Sequence, residues 1–385
     1  MSKKRAVHGR PFFIAFFIAF VIAVLATNMR NTPGIVISLL CCFKVSLAAA
    51  NPYLVLDSFS RSESVPITDA VDKWETPIKE GDNAFTYNWA EIGATYKGFG
   101  LGYLSRYDYE LEYSHDTAEF YHLVNNKQPL TAGKQYHLHL VAKHTYSDGL
   151  RFSYHFQFNK QLQFTIGAAY LKGSRLTDGK LDGTATVLAG NDYDFTADVD
   201  YFYSKDVLFG RKVDSPDGTG YSIDTLVQWN LSPVLTAQLK IVDLIGRMYW
   251  NNAPNTTASA ASDIKEYDQD GYVKYNPVLS GYETNQNFTQ KLHPQVNLQF
   301  NYSIDSSIGL VGRIYNFEPG NFYQVGGEYA VNAGNRVKIL YMLETSAVSL
   351  GYTGKYLDLE VTSDSFEIEK SYIFALKLNA HVDFN

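Results

Sequence analysis

From residue 83 onward apolar and polar positions alternate with a period of two, and helical spacing is almost absent. Over residues 136–146 one face carries Tyr136, Leu138, Leu140, Ala142, His144 and Tyr146. The other carries His137, His139, Val141, Lys143 and Thr145. Ser147-Asp148-Gly149 reads as a turn, after which Leu150, Phe152, Tyr154 and Phe156 interleave with Arg151, Ser153, His155 and Gln157. The plan recurs over 193–203, with Asp194, Asp198 and Asp200 on the polar face. It recurs over 292–304, with Lys291, His293, Gln295 and Asn297 on that face, and over 372–384, with Lys377 and His381 there. Such alternation predicts strands with one wet face.

Three features turn that prediction toward a membrane. The apolar faces are bracketed by aromatics ten residues apart, Tyr136 with Tyr146 and Tyr193 with Tyr203. Ten residues of tilted strand cover about 25 Å, the height of a lipid-facing band between two aromatic girdles. The polar faces are rich in Gln, Asn, Asp, His and Lys, which a wet lumen accepts and a sandwich core does not. The strands are also longer than the usual 5–6 residues or so of soluble sheets.

Strands are expected at 83–96, 99–113, 134–146, 150–158, 161–172, 192–204, 219–231, 235–249, 289–304, 308–317, 321–332, 336–344, 346–359 and 371–384. That makes fourteen, within a range of 12–16. A further strand over 52–59 would put both termini on the side of the short turns. The longest expected loop is 250–288, with its polar run NNAPNTTASAAS. The fold class is therefore all-β, a transmembrane antiparallel up-and-down barrel over 83–385, preceded by a strand and loop segment over 51–82. A periplasmic β-sandwich or solenoid is the alternative.

On this alternation, and most firmly on the last strand with Tyr372 and Phe384, the chain resembles the Gram-negative outer-membrane β-barrel proteins, porins among them. That resemblance implies residence in the outer membrane among its lipids and lipopolysaccharide, and recognition of the C-terminal strand by the barrel-assembly machinery. The family's terminal signal usually ends on an aromatic; here Asn385 follows Phe384.

Residues 1–50 differ from the rest. They hold six basic residues, no acidic one and both cysteines, Cys41 and Cys42. A basic stretch, two apolar runs and the small residues Ala48-Ala49-Ala50 give the three-part plan of a signal peptide cut after Ala50, with Met29 as the expected start. An inner-membrane anchor is the rival reading. The remaining residues carry 27 basic and 40 acidic groups, a formal charge of −13, which disfavours nucleic acid as a partner. Without cysteine they offer neither disulfide nor thiolate metal site.

Candidate lumen residues are Lys143, Arg151, His137, His139, His155, Asp194, Asp198, Asp200, Lys291, Gln295, Asn297, Arg313 and Lys377. The basic members would face the Asp194–Asp200 row across the pore. Girdle candidates are Tyr136, Tyr146, Tyr193, Tyr203, Tyr372 and Phe384. If 147–149 turns the chain, His137, His139 and His155 share one face, yet no set ligand spacing marks a metal site. Ser114, His115 and Asp116 are neighbours in sequence, and neighbours in one strand point to opposite faces, so they form no relay. No catalytic residue and no cofactor is expected. The expected function is a water-filled, porin-like channel for small hydrophilic solutes. The alternatives are a non-conducting barrel serving as an adhesin or assembly anchor and, further off, a membrane hydrolase.

Overall fold

The computed structural model describes residues 50–70, 74–188, 193–206, 210–261, 265–267, 273–275 and 279–382. The leader up to residue 49 and Phe384 lie outside them.

The strands are β1 (Asn51–Ser62), β2 (Asn83–Tyr96), β3 (Phe99–Tyr113), β4 (Gln135–Gln157), β5 (Leu162–Val187), β6 (Tyr193–Tyr203), β7 (Asp217–Asn230), β8 (Leu235–Ala261), β9 (Lys265–Tyr267), β10 (Val273–Tyr275), β11 (Leu279–Lys291), β12 (Gln295–Ser303), β13 (Ile308–Phe317), β14 (Gly320–Asn332), β15 (Asn335–Met342), β16 (Val348–Thr353), β17 (Leu357–Ser363) and β18 (Ile373–His381). Two helices accompany them, α1 (Ile67–Ala70) and α2 (His115–Asn125).

All barrel pairings are antiparallel, and β18 pairs with β1 from Tyr53↔His381 to Arg61↔Ile373, so the sheet closes on itself. β6 and β7 are two halves of one descending stave. Both lie between β5 and β8. β11 and β12 form another such stave along β8. Counted by staves, the barrel has fourteen strands. Closure leaves no edge, which a hydrocarbon environment demands of any sheet.

The outward face is a continuous apolar band, with Ile166, Leu310, Val325, Ile339 and Leu350 all exposed. No soluble protein keeps such a ring in water. Aromatics border it at both ends: Phe99, Tyr154, Tyr302 and Tyr329 near the short turns, Tyr170, Tyr249, Tyr323 and Tyr341 at the far rim. The short connections 97–98, 158–161, 304–307, 333–334 and 354–356 share one end with the start of β1 and the end of β18, the periplasmic arrangement of outer-membrane barrels. The chain is a transmembrane β-barrel of the bacterial outer membrane.

One wall is tall. β4, β5 and β8 run 23, 26 and 27 residues, against 8, 6 and 7 for β15, β16 and β17. At about 3.3 Å per residue, the long strands cover more than twice the length the membrane needs. Their upper halves, with β6 and β11, stand outside the cell as an extended sheet.

Several expected boundaries are corrected by this architecture. Ser147-Asp148-Gly149 lies mid-strand, so 134–146 and 150–158 are one strand, β4. Gly149 is there for packing: a Cβ would collide with the carbonyl oxygen of Tyr170 on β5. The strand expected at 346–359 is two, β16 and β17, joined by a turn at 354–356. The expected loop 250–288 is in large part the strand pair β8–β11, with Leu279↔Ala260 through Lys291↔Arg247 in register.

Candidate functional site

The lumen is built from the inward positions of these strands, and its side chains meet in the middle. Lys240 on β8 reaches Asp57 on β1, Nζ to Oδ2 at 2.7 Å. Those strands are six staves apart one way around the barrel and eight the other. A circular fourteen-strand barrel tilted near 40° would be about 28 Å across, whereas a lysine and an aspartate in contact join Cα atoms about 12 Å apart. The barrel is therefore flattened, with the β1–β3 wall pressed toward β8.

A bulge in β8 supplies the acidic partners. Asp243 takes a left-handed backbone (φ 56), and the register with β7 shifts between Ile223 and Thr225. Bulges redirect side chains in this way. Asp243, 1 % exposed, accepts from Arg106 of β3 at 2.8 and 2.7 Å, and Arg106 also reaches Asp108 at 2.6 Å. Asp224, opposite the bulge, receives Arg151 of β4 through Nε at 2.8 Å and Nη2 at 2.5 Å. The same guanidinium lies 3.3 Å from Glu91, which also accepts from the Tyr53 hydroxyl at 2.6 Å. On the far wall Arg313 pairs with Glu360, and Lys338 joins that carboxylate at 2.7 Å.

Above the Lys240–Asp57 bridge sits an aromatic cluster. Phe59 stacks on Phe85 (centroids 5.8 Å, interplanar angle 5°) and touches Phe317 at 4.7 Å, Phe322 at 5.2 Å and Tyr315 at 5.5 Å. A second apolar cluster joins Leu104, Leu171, Leu176, Met248 and Trp250 against the inner face of the tall wall. Between aromatics and charges a cavity of about 40 Å³ remains, lined by Phe59, Tyr87, Trp89, Tyr315, Phe317 and Lys377 among others. The wide lumen expected from the sequence is narrowed at this level by the Lys240–Asp57 bridge and the aromatic cluster.

The sequence-derived candidates fall into separate places. Arg151 and Arg313 hold the buried ion pairs described above. Gln295, Asn297 and Lys377 line the central cavity, and the Lys377 ammonium lies 4.5 Å above the Tyr315 ring. Lys143 stands at the outer mouth between Glu110 and Glu318. Lys291 is exposed, pairs in register with Arg247 and borders the pocket at the outer mouth, which buried Gln290, bonded to Thr145, also lines.

Asp194, Asp198 and Asp200 lie on β6, outside the cell. Asp198 accepts from Ser259 at 2.5 Å and Asp200 from Asn255 at 2.9 Å, so they do not face the basic residues across a pore. His139 contacts Asp182 at 2.6 Å in the same wall, exposed His137 donates its N–H to Asp116, and His155 stands by Thr165 near the periplasmic turn. His139 and His155, sixteen residues apart on one strand, are separated by about 50 Å and share no site. Ser114 caps α2 and donates to the His137 carbonyl, outside any relay.

Most of the girdle candidates are also relocated. Tyr136 is fully buried against Phe120 of α2, and Tyr193 meets that ring edge-on. Tyr203 is buried on Tyr201 beside Arg211. Tyr146 is half-buried beside Arg175, and Lys79 covers Tyr372. Asp57, Glu91, Asp224, Lys240, Asp243 and Glu360 went unnoticed in the sequence. Their signal is a charge set inside an otherwise apolar run, as in KIVDLIG and LDLEV.

The chain matches no described protein family, and no curated protein resembles it in sequence. Solved structures similar to it in extent include the Pseudomonas putida toluene transporter TodX, at 11% identity and TM-score 0.38, covering 86% of this chain and 88% of that one. A Pseudomonas aeruginosa FadL homologue has 10% identity and TM-score 0.35, with coverage of 87% and 89%. The Ralstonia pickettii toluene transporter TbuX has 10% identity and TM-score 0.28, with coverage of 88% and 90%.

Proposed function

We propose that this barrel is a gated outer-membrane channel for small apolar or aromatic solutes, without enzymatic activity. The observation that carries this reading is the crowded midsection, where an aromatic cage of Phe59, Phe85, Tyr315, Phe317 and Phe322 stands over the Lys240–Asp57 bridge. A pore for hydrated solutes keeps a polar bore open. An aromatic lining instead favours a solute that replaces ring–ring contacts with its own. Passage requires the bridge to part, and a pair at the centre of a flattened barrel parts when the walls move outward together.

Solute flux into liposomes carrying the folded protein tests this. Uptake of a small aromatic tracer above empty liposomes, with no swelling in sugars, is the expected result. Swelling in sugars at porin rates overturns it. A second reading, a surface-binding barrel, draws on the tall wall. Deleting the sheet above the membrane would abolish partner binding under that reading and leave tracer flux intact under the first.

A further inference from the structure

At the outer mouth of the lumen three chain segments bring ligand atoms together. Glu110 comes from β3, His293 from the link between β11 and β12, and Glu318 from the turn between β13 and β14. The imidazole Nδ1 and one oxygen from each carboxylate all lie within 4.8 Å of one another. His293 Nδ1 is in direct contact with Glu318 and 3.9 Å from Glu110. A cavity of about 30 Å³, lined by Glu110, His293, Gln290 and Asp243 among others, opens beside them. That is room for a coordinated water or two.

We propose that Glu110, His293 and Glu318 form a binding site for a divalent transition-metal ion of the zinc type. One imidazole nitrogen and two carboxylate oxygens, with no thiolate, suit Zn²⁺, Co²⁺ or Mn²⁺, while the imidazole disfavours Mg²⁺ and Ca²⁺. The charge around the site agrees. Lys143 lies closest to the carboxylates among the described cations, at 3.8 Å from Glu110 and 3.6 Å from Glu318, too far for hydrogen bonds to either, and Lys291 lines the same cavity. Asp178 faces the same lysine across the strand pair. The three carboxylates thus outnumber the two ammonium groups at the pocket, which leaves negative charge for a bound cation.

The three segments are far apart in sequence and are not joined to one another by ladder hydrogen bonds at these residues, so a shared ion ties them directly. Glu318 follows Phe317, a member of the aromatic cage. The ion therefore fixes the turn that carries part of the seal. This consequence rests on the channel reading; the site itself does not.

The test uses the folded barrel in detergent, prepared without a histidine tag, with Co²⁺ absorption and Zn²⁺ calorimetry as readouts. One equivalent of Co²⁺ should give a d–d spectrum of bound ion. His293→Ala and Glu318→Gln should each weaken Zn²⁺ binding by about tenfold or more, by loss of an inner ligand. Lys143→Met removes the competing ammonium and should tighten binding, which a merely structural lysine would not do. Heat-modifiable migration on gels verifies that each variant remains a folded barrel. Absence of a Co²⁺ spectrum in the parent protein overturns the site, and so does unchanged affinity in folded His293→Ala and Glu318→Gln. If the ion binds as described but His293→Ala leaves aromatic flux unaltered, the site stands and its link to the gate fails.

Discussion

Lys240 and Asp57, 183 positions apart, join opposite walls of the barrel through a 2.7 Å contact. Each is partly wet, with side-chain exposures of 36% and 28%. The pair is therefore weak as a source of stability and effective as a latch, because water and salt compete for both partners. Lys240→Ala and Asp57→Ala should each raise tracer flux and single-channel conductance. The exchange Asp57→Lys with Lys240→Asp should restore closure. High salt should loosen the parent and leave the single variants unchanged. Equal conductance in all of them would exclude the latch.

Arg106 and Asp243 form a pair of the opposite kind, 2% and 1% exposed. Removing one member of so buried a pair strands the other charge and typically costs about 3–5 kcal/mol, whereas replacing both with apolar residues is often close to neutral. Arg106→Met should therefore lower the urea midpoint of unfolding strongly. Neutralising both carboxylates it pairs with, as Arg106→Met with Asp108→Asn and Asp243→Asn, should recover part of the loss, since asparagine tolerates the left-handed backbone at position 243. A triple variant no more stable than Arg106→Met alone would contradict this account.

The barrel and its outward band were legible in the sequence because a one-sided wet strand leaves a period of two that no helix mimics. Ser147-Asp148-Gly149 misled for a definite reason. Its composition suits a tight turn, yet Gly149 is required by the close approach of Tyr170 across the ladder. Local chemistry cannot distinguish these uses of glycine. The lumen seal was hidden more deeply. Asp243 reaches Arg106 only because a left-handed residue breaks the alternation of β8, and Lys240 reaches Asp57 only because the barrel is flattened. Both depend on how distant strands meet.

Gly149→Ala tests the first of these points. The added methyl group forces β4 and β5 apart beside Tyr170, at the outer rim of the apolar band, an overpacking strain of about 1–3 kcal/mol. Thermal unfolding of the folded barrel should shift down accordingly. A glycine in a free turn would tolerate alanine with little change, and that result would contradict the continuous strand.

Asp305, in the periplasmic turn between β12 and β13, accepts backbone N–H bonds from Ser307 at 2.6 Å and Ile308 at 2.8 Å. These donors favour the charged carboxylate and hold its pKa below the ordinary 3.8. A folded pKa below the unfolded one contributes stability that is present above the unfolded pKa and lost as pH falls through the folded one. Asp305→Ala should therefore be less stable than the parent at neutral pH, and the two should converge at pH values below the usual carboxylate range. A constant difference down to that range would show that the turn does not depend on the charge.

Phe59 is the contact through which the aromatic seal holds together, since it touches Phe85, Tyr315, Phe317 and Phe322 while only 4% exposed. Phe59→Ala opens a void at the centre of the cage, at a cost of about 3–5 kcal/mol for a buried large-to-small change. The Lys240–Asp57 bridge beneath stays in place, so conductance to ions should change little. A small aromatic compound, by contrast, gains a site of its own size. The variant should bind benzene or toluene measurably and be stabilised by them in thermal unfolding, whereas the parent should show a much smaller shift. Ion conductance rising as steeply as aromatic binding would mean that the rings, and not the ion pair, carry the seal against water.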